Sequence, residues 1–148
     1  MLTILRVLAM IHPLAQGVLE TREPPPPSVA YVHALHAEAA ATPDVPPELL
    51  LAIAYRESRY QPLARPQCGV TQIAARRQPR RCRRLIEDNQ YAYHQAVTHL
   101  GDWLRFCRGR GIACALTGYG AGVRAARGKP SGYALRTLAL ARQIRGPR

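Results

Sequence analysis

Glu57 stands where an apolar residue is expected. In LLAIAYRESRYQP, residues 50–62, Leu50, Ile53 and Ala54 recur at helical spacing, and Glu57 takes the next place on the same stripe. An ionised carboxylate is costly to bury, so a glutamate there is paired with a base, reaches solvent, or is kept protonated for a purpose. Arg56 and Arg59 adjoin it and supply the pairing alternative. The third alternative is a general acid near neutral pH, which needs a pKa raised from about 4.3 towards 6 or above. Leu50, Ile53 and Ala54 behind the carboxyl disfavour the anion and would raise it, as apolar pockets do for carboxylic acids that serve as general acids.

Glycosidic cleavage usually takes two carboxylates, one on each side of the scissile bond. After Glu57 no acid occurs until Glu87, and Asp88 and Asp102 are the only ones beyond it. A single acid/base suffices only where the sugar supplies its own nucleophile. Metal chemistry is not expected: the cysteines form no C-x-x-C pair, and His33/His36 and His94/His99 lack the H-E-x-x-H arrangement, so spacing gives no closed ligand set. No cofactor is called for either. Cys68, Cys82, Cys107 and Cys114 allow three pairings. Proximity favours Cys68 with Cys82 and Cys107 with Cys114 as disulfides in an oxidising compartment, against four reduced, buried cysteines acting as small hydrophobes.

The formal net charge of +12 is almost wholly arginine, because Lys129 is the only lysine. Nucleic acid, anionic lipid and the acidic polymers of a bacterial wall all suit such a charge, since long-range attraction does not distinguish them. A merely solvated arginine surface is the plain alternative. The densest run, RRQPRRCRR at 76–84, has no interleaved aromatics and no recognition-helix signature, so electrostatics alone speaks for nucleic acid.

The elements that must position these residues read as one all-α domain without internal repeats. Residues 1–27 form a leader and proline linker: MLTILRVLAMIHPLAQG fits either a degenerate export signal or a tail, and PPPP at 24–27 is stiff and extended. No run approaches the ~18 apolar residues of a transmembrane helix. The domain occupies 28–148. Its first helix starts at Ser28 as N-cap and carries an apolar stripe through Val32, Leu35 and Ala39. Pro46, Pro47 and Glu48 open the second, which runs to about Ser58. A loop with Pro62, Pro66 and Gly69 and then the basic segment lead to a long helix at about 87–107, with Tyr91, Ala92, Gln95, Ala96, His99, Leu100 and Trp103 on one face. Gly109 and Gly111 break it, and helices at about 112–122 and 132–144 complete the domain.

An ordered series of short matches extends along this frame. Glu57, Ser58, Tyr60, Pro62 and Ala64 come from ESRYQPLA, and Gly69, Val70, Gln72 and Ile73 from CGVTQI. Ala115, Tyr119, Ala121 and Gly122 come from ALTGYGAG, and the closing helix begins at Tyr133. In this order the residues resemble the lytic transglycosylases of the soluble-transglycosylase type, which have a goose-type-lysozyme-like helical fold. The resemblance implies an exported enzyme that cleaves the MurNAc-GlcNAc β-1,4 bond of peptidoglycan and leaves 1,6-anhydromuramyl ends. It implies Glu57 as the catalytic acid/base and Ser58, Gln72, Tyr119 and Tyr133 as substrate-side residues. Glycan strands are then the partner, with anionic wall polymers as a second class, and nucleic acid is not expected. Two departures stand out: Gly120 replaces an Asn that helps hold the sugar in the family, and the interval from Glu57 to Gln72 is a few residues short. An inactive wall-binding module on the same fold and a basic nucleic-acid-binding helical domain are the other readings.

Overall fold

Proline opens three of the helices, and the buried face of one of them is built largely from alanine. The computed structural model describes residues 26–147. Along them run α1 (Pro27–Ala40), α2 (Pro47–Ser58), α3 (Pro79–Glu87), α4 (Asn89–Phe106), α5 (Gly111–Ala126) and α6 (Gly132–Arg145). Among the described residues there is no strand; isolated bridges join Thr42 to Val45 and Cys68 to Ile73. The fold is all-α, as the periodicity predicts. The leader and proline-linker reading covers residues 1–27, of which 1–25 lie outside the described residues; Pro27, expected in the extended linker, instead opens α1.

The α2 helix is the central rod, packed by α1, α4 and α6, while α5 and α3 lie on α4 and α5 also meets α6. Pro46 and Pro47 start it because a first turn needs no amide donor there. Leu50, Leu51, Ala52, Ile53 and Ala54 are fully buried, each large side chain contributing about 1.5–3 kcal/mol of apolar burial.

Three expectations are corrected. On α1 the buried residues are Ala30, His33, Ala34, Ala37 and Ala40, whereas Val32 and Leu35 are 45% and 53% exposed and Ala39 faces solvent. Both stripes have helical spacing, and the alanine stripe lets α1 approach α2 and α4 closely. Pro26 and not Ser28 precedes the helix. The basic segment is also no simple lead-in, since Pro79 starts a separate helix, α3, that holds Arg80, Arg81, Arg83 and Arg84. Asp88 then breaks the chain and caps α4 by accepting from the Tyr91 amide at 2.9 Å. The fully buried residues of α4 are Ala92, Tyr93, Ala96 and Leu100, so Tyr91, Gln95, His99 and Trp103 form a half-buried stripe beside the core.

Both expected disulfides are present, Cys68–Cys82 and Cys107–Cys114. The first ties the loop after α2 to α3. The second closes the turn between α4 and α5.

Candidate active site

Helix α2 ends immediately after its glutamate, and the manner of its ending shapes the site. Arg59 and Tyr60 both take left-handed backbone angles, φ 54° and 64°, which non-glycine residues adopt only when their surroundings hold them there. The Arg59 amide donates to the Tyr55 carbonyl at 2.8 Å to close the last turn. Tyr60 then turns inward, where its ring stacks on His33 at 4.5 Å. The chain is thereby reversed, and residues 61–73 come back against the helix end.

A tight turn at 68–73 is the second component. Cys68 and Ile73 exchange backbone hydrogen bonds, and Gly69 at φ 74° lies so close to α3 that a Cβ there would sit 2.4 Å from the Leu85 carbonyl oxygen. Only glycine fits. Four helices clamp this turn. The Ser58 hydroxyl lies 2.7 Å from the Val70 carbonyl and 3.0 Å from that of Ala54, so its single proton ties the turn to α2. The Thr71 hydroxyl donates to the Ala92 carbonyl of α4 at 3.1 Å. The Tyr119 hydroxyl of α5 donates to the Thr71 carbonyl at 2.7 Å. Cys82 supplies the covalent link from α3.

Gln72 is spent within the loop. Its amide nitrogen donates to the Ala64 and Gly69 carbonyls at 2.8 and 2.9 Å, and its carbonyl oxygen accepts from the Gln67 amide at 2.8 Å. Both donor hydrogens are thus committed. Ser58 adjoins the glutamate on α2, and the polar groups of Ser58 and Gln72, expected on the substrate side, hold backbone instead.

Glu57 itself is half-buried at the last turn of α2, above Ile53 and Ala54, which are fully buried. Among the described residues it makes no ion pair, so the pairing alternative with Arg56 or Arg59 is not realised. Burial raises its pKa above the ordinary carboxylate value, against the opposing influence of the Tyr133 hydroxyl and the Arg56 charge. The C-terminal end of the helix dipole disfavours the anion as well. Among the described residues no second carboxylate acts on it. Asp88 caps α4 and Asp102 pairs with Arg105.

Two tyrosines face it. Burial, and after it the Glu57 charge, pushes both the Tyr119 and the Tyr133 hydroxyl well above the ordinary phenol range, so each stays a neutral donor. Tyr119 spends its proton on the turn. The Tyr133 hydroxyl is buried, interacts with the Glu57 carboxyl and makes no hydrogen bond of normal geometry. Its ring occupies the space beside Gly120: a Cβ there would lie 2.7 Å from Cδ1 and 3.0 Å from Cε1 and Cγ. The missing side chain at 120 is therefore the room into which Tyr133 packs.

Sequence reasoning missed the role of Thr71, which uses its hydroxyl to anchor the turn. It also missed Arg136, one turn beyond Tyr133 on α6, whose charge acts on Arg56. Nothing in an arginine-rich chain marks that residue out. Two clefts of about 560 and 380 Å³ lie away from Glu57. The larger is lined by Thr42, Asp44, Val97 and Gly101 among others, the smaller by Val29, Val32, His33, Tyr60 and Asn89 among others. Among the described residues no cluster of three or more His, Cys, Asp or Glu could hold a metal, and no helix is long and apolar enough to cross a membrane. No family model, curated protein or solved structure matches the chain.

Proposed function

We propose that this protein is a lytic transglycosylase with a lysozyme-like helical fold, which cleaves the MurNAc-GlcNAc β-1,4 bond of peptidoglycan and leaves 1,6-anhydromuramyl ends. The observation that carries the reading is Glu57: a half-buried, unpaired carboxyl whose pKa burial raises, with no second carboxylate acting on it. A protonated Glu57 donates its proton to the glycosidic oxygen as the bond to C1 of the muramyl residue breaks. The resulting carboxylate takes the proton of the muramyl 6-hydroxyl, whose oxygen closes onto C1. One proton leaves and one returns, and no water is consumed. The Tyr133 hydroxyl, aimed at the carboxyl and otherwise unpartnered, is the group that stabilises the transient anion.

Ser58, Thr71, Gln72 and Tyr119 act behind this centre, fixing the turn that faces it. The two disulfides support export to an oxidising compartment, and the arginine surface suits anionic wall polymers. The test is purified protein on insoluble wall, with the soluble products weighed by mass spectrometry. The expected products carry 1,6-anhydro ends, lighter by one water than reducing ends. Reducing ends would mean hydrolysis and a second carboxylate. Retention on the wall without release would make the chain a binding module, and salt-sensitive binding to DNA alone would make it a basic nucleic-acid-binding domain.

A further inference from the structure

Buried donors without acceptors are rare, and each one calls for an explanation. Two of them belong to residues at the C-terminal end of α2, Arg56 Nε and Arg59 Nη1. The Arg56 guanidinium lies 6.0 Å from the centre of the Tyr133 ring, and Arg59 lies 5.9 Å from that of Tyr55. Arg136 follows Tyr133 by three residues, on the same face of α6. Arg59 and Arg136 are both near enough for their charges to act on Arg56. No acid forms an ion pair with Arg56, Arg59 or Arg136 among the described residues. The nearest acid, Glu57, is the one that burial favours in its neutral form.

Cations at a helix C-terminus complement its dipole, which accounts for Arg56 and Arg59 as charges. It accounts neither for a third arginine brought from another helix nor for the buried Nε of Arg56 and Nη1 of Arg59 left without acceptors. An anion explains all three arginines.

We infer that Arg56, Arg59 and Arg136 form a subsite for a carboxylate of the glycan strand next to the bond that Glu57 cleaves. Guanidinium groups match carboxylates in shape and charge, and their hydrogen bonds are about twice as strong as neutral ones. The inference rests on the proposed function for its substrate. Two carboxylates of a wall strand have the required chemistry, the bare lactyl group of muramic acid and the acids of its peptide stem.

The experiment uses full-length protein carrying Glu57→Gln, which binds without turnover. Three tetrasaccharides are titrated: neutral chitotetraose, alternating GlcNAc-MurNAc with bare lactyl groups, and the same strand with peptide stems. Affinity is measured together with the Nε–Hε resonances of the arginines. The expected result is that a carboxylate-bearing strand binds at least about tenfold more tightly than chitotetraose and moves the Arg56 Nε–Hε resonance. Whichever of the two strands does so identifies the carboxylate. Arg136→Gln, at an exposed position, and Arg59→Gln, from the other helix, should each reduce the preference towards unity. Equal affinities with unmoved resonances overturn the subsite. If wild-type protein nevertheless releases anhydromuramyl products, the enzyme reading survives that loss. Absence of both binding and release overturns both.

Discussion

Glu48 and Glu57 stand at opposite ends of α2, and the fold treats them oppositely. Glu48 lies in the first turn, where the positive end of the helix dipole favours a carboxylate, and Arg145 Nε of α6 donates to it at 2.5 Å. Glu57 lies in the last turn, at the negative end, without an ion pair and with its pKa raised by burial. One glutamate is placed where its charge is welcome. The other is placed where every local influence except Tyr133 and Arg56 works against the charge. Under the proposed function, the contrast separates a structural acid from a chemical one on a single helix.

The sharpest way to break that comparison is to neutralise each end in turn. Glu57→Gln should lower release of soluble glycan by ~10²–10⁴-fold or more, the range typical of general acid–base catalysis. Its stability should behave in the reverse sense. Because the folded state holds Glu57 with a raised pKa, its contribution to stability is fully present below the ordinary value of 4.5 and is lost as pH rises through the folded value. Urea unfolding should therefore show wild type weakening relative to Glu57→Gln between acid and neutral pH. A Glu57→Gln protein that unfolds more easily at neutral pH and keeps its activity would return Glu57 to a structural role.

The next largest effects concern the turn that faces the acid. Replacing Cys68 and Cys82 by serine opens a loop of sequence separation 14, worth about 3 kcal/mol on chain entropy. The same change at Cys107 and Cys114, separation 7, should cost about 2.5 kcal/mol. Stability alone barely distinguishes the two. Activity should, because only the first disulfide holds the turn that Ser58, Thr71 and Tyr119 clamp, and equal activity in both double variants would detach the turn from the chemistry. Gly120→Ala should then cost about 1–3 kcal/mol by overpacking, since its Cβ meets the Tyr133 ring at 2.7 Å. Activity should drop with it as Tyr133 is pushed from Glu57, and a fully active, equally stable Gly120→Ala would show that the ring is free to move. Glu48→Gln is the smallest change, a loss of at most about 1 kcal/mol in denaturant unfolding with activity retained.

Helix number and site were legible to different degrees for physical reasons. The core of α2 was readable because Leu49, Leu50, Leu51 and Ile53 are large and apolar, and all are buried. The core of α1 was not, because Ala30, Ala34 and Ala37 repeat with the same period as Val32, Leu35 and Ala39, and a hydrophobicity pattern favours the bulkier set. Close packing of helices reverses that preference. Helix α3 escaped notice because its charge reads as an unstructured run, although Pro79 at its start and Asp88 at its end are ordinary boundary residues.

The sequence alone determined the helical class, the placing of Glu57 on an apolar stripe, the scarcity of other acids near it in the chain and the pairing of cysteines by proximity. These are local quantities, set by residue type and spacing. Only the tertiary structure decided that Arg56 leaves Glu57 without an ion pair, that Gln72 turns its amide inward, that Gly120 makes room for Tyr133 and that Arg136 joins the arginines of α2. Each depends on how the end of one helix meets the start of another many residues away, and no periodicity within a single segment encodes that meeting.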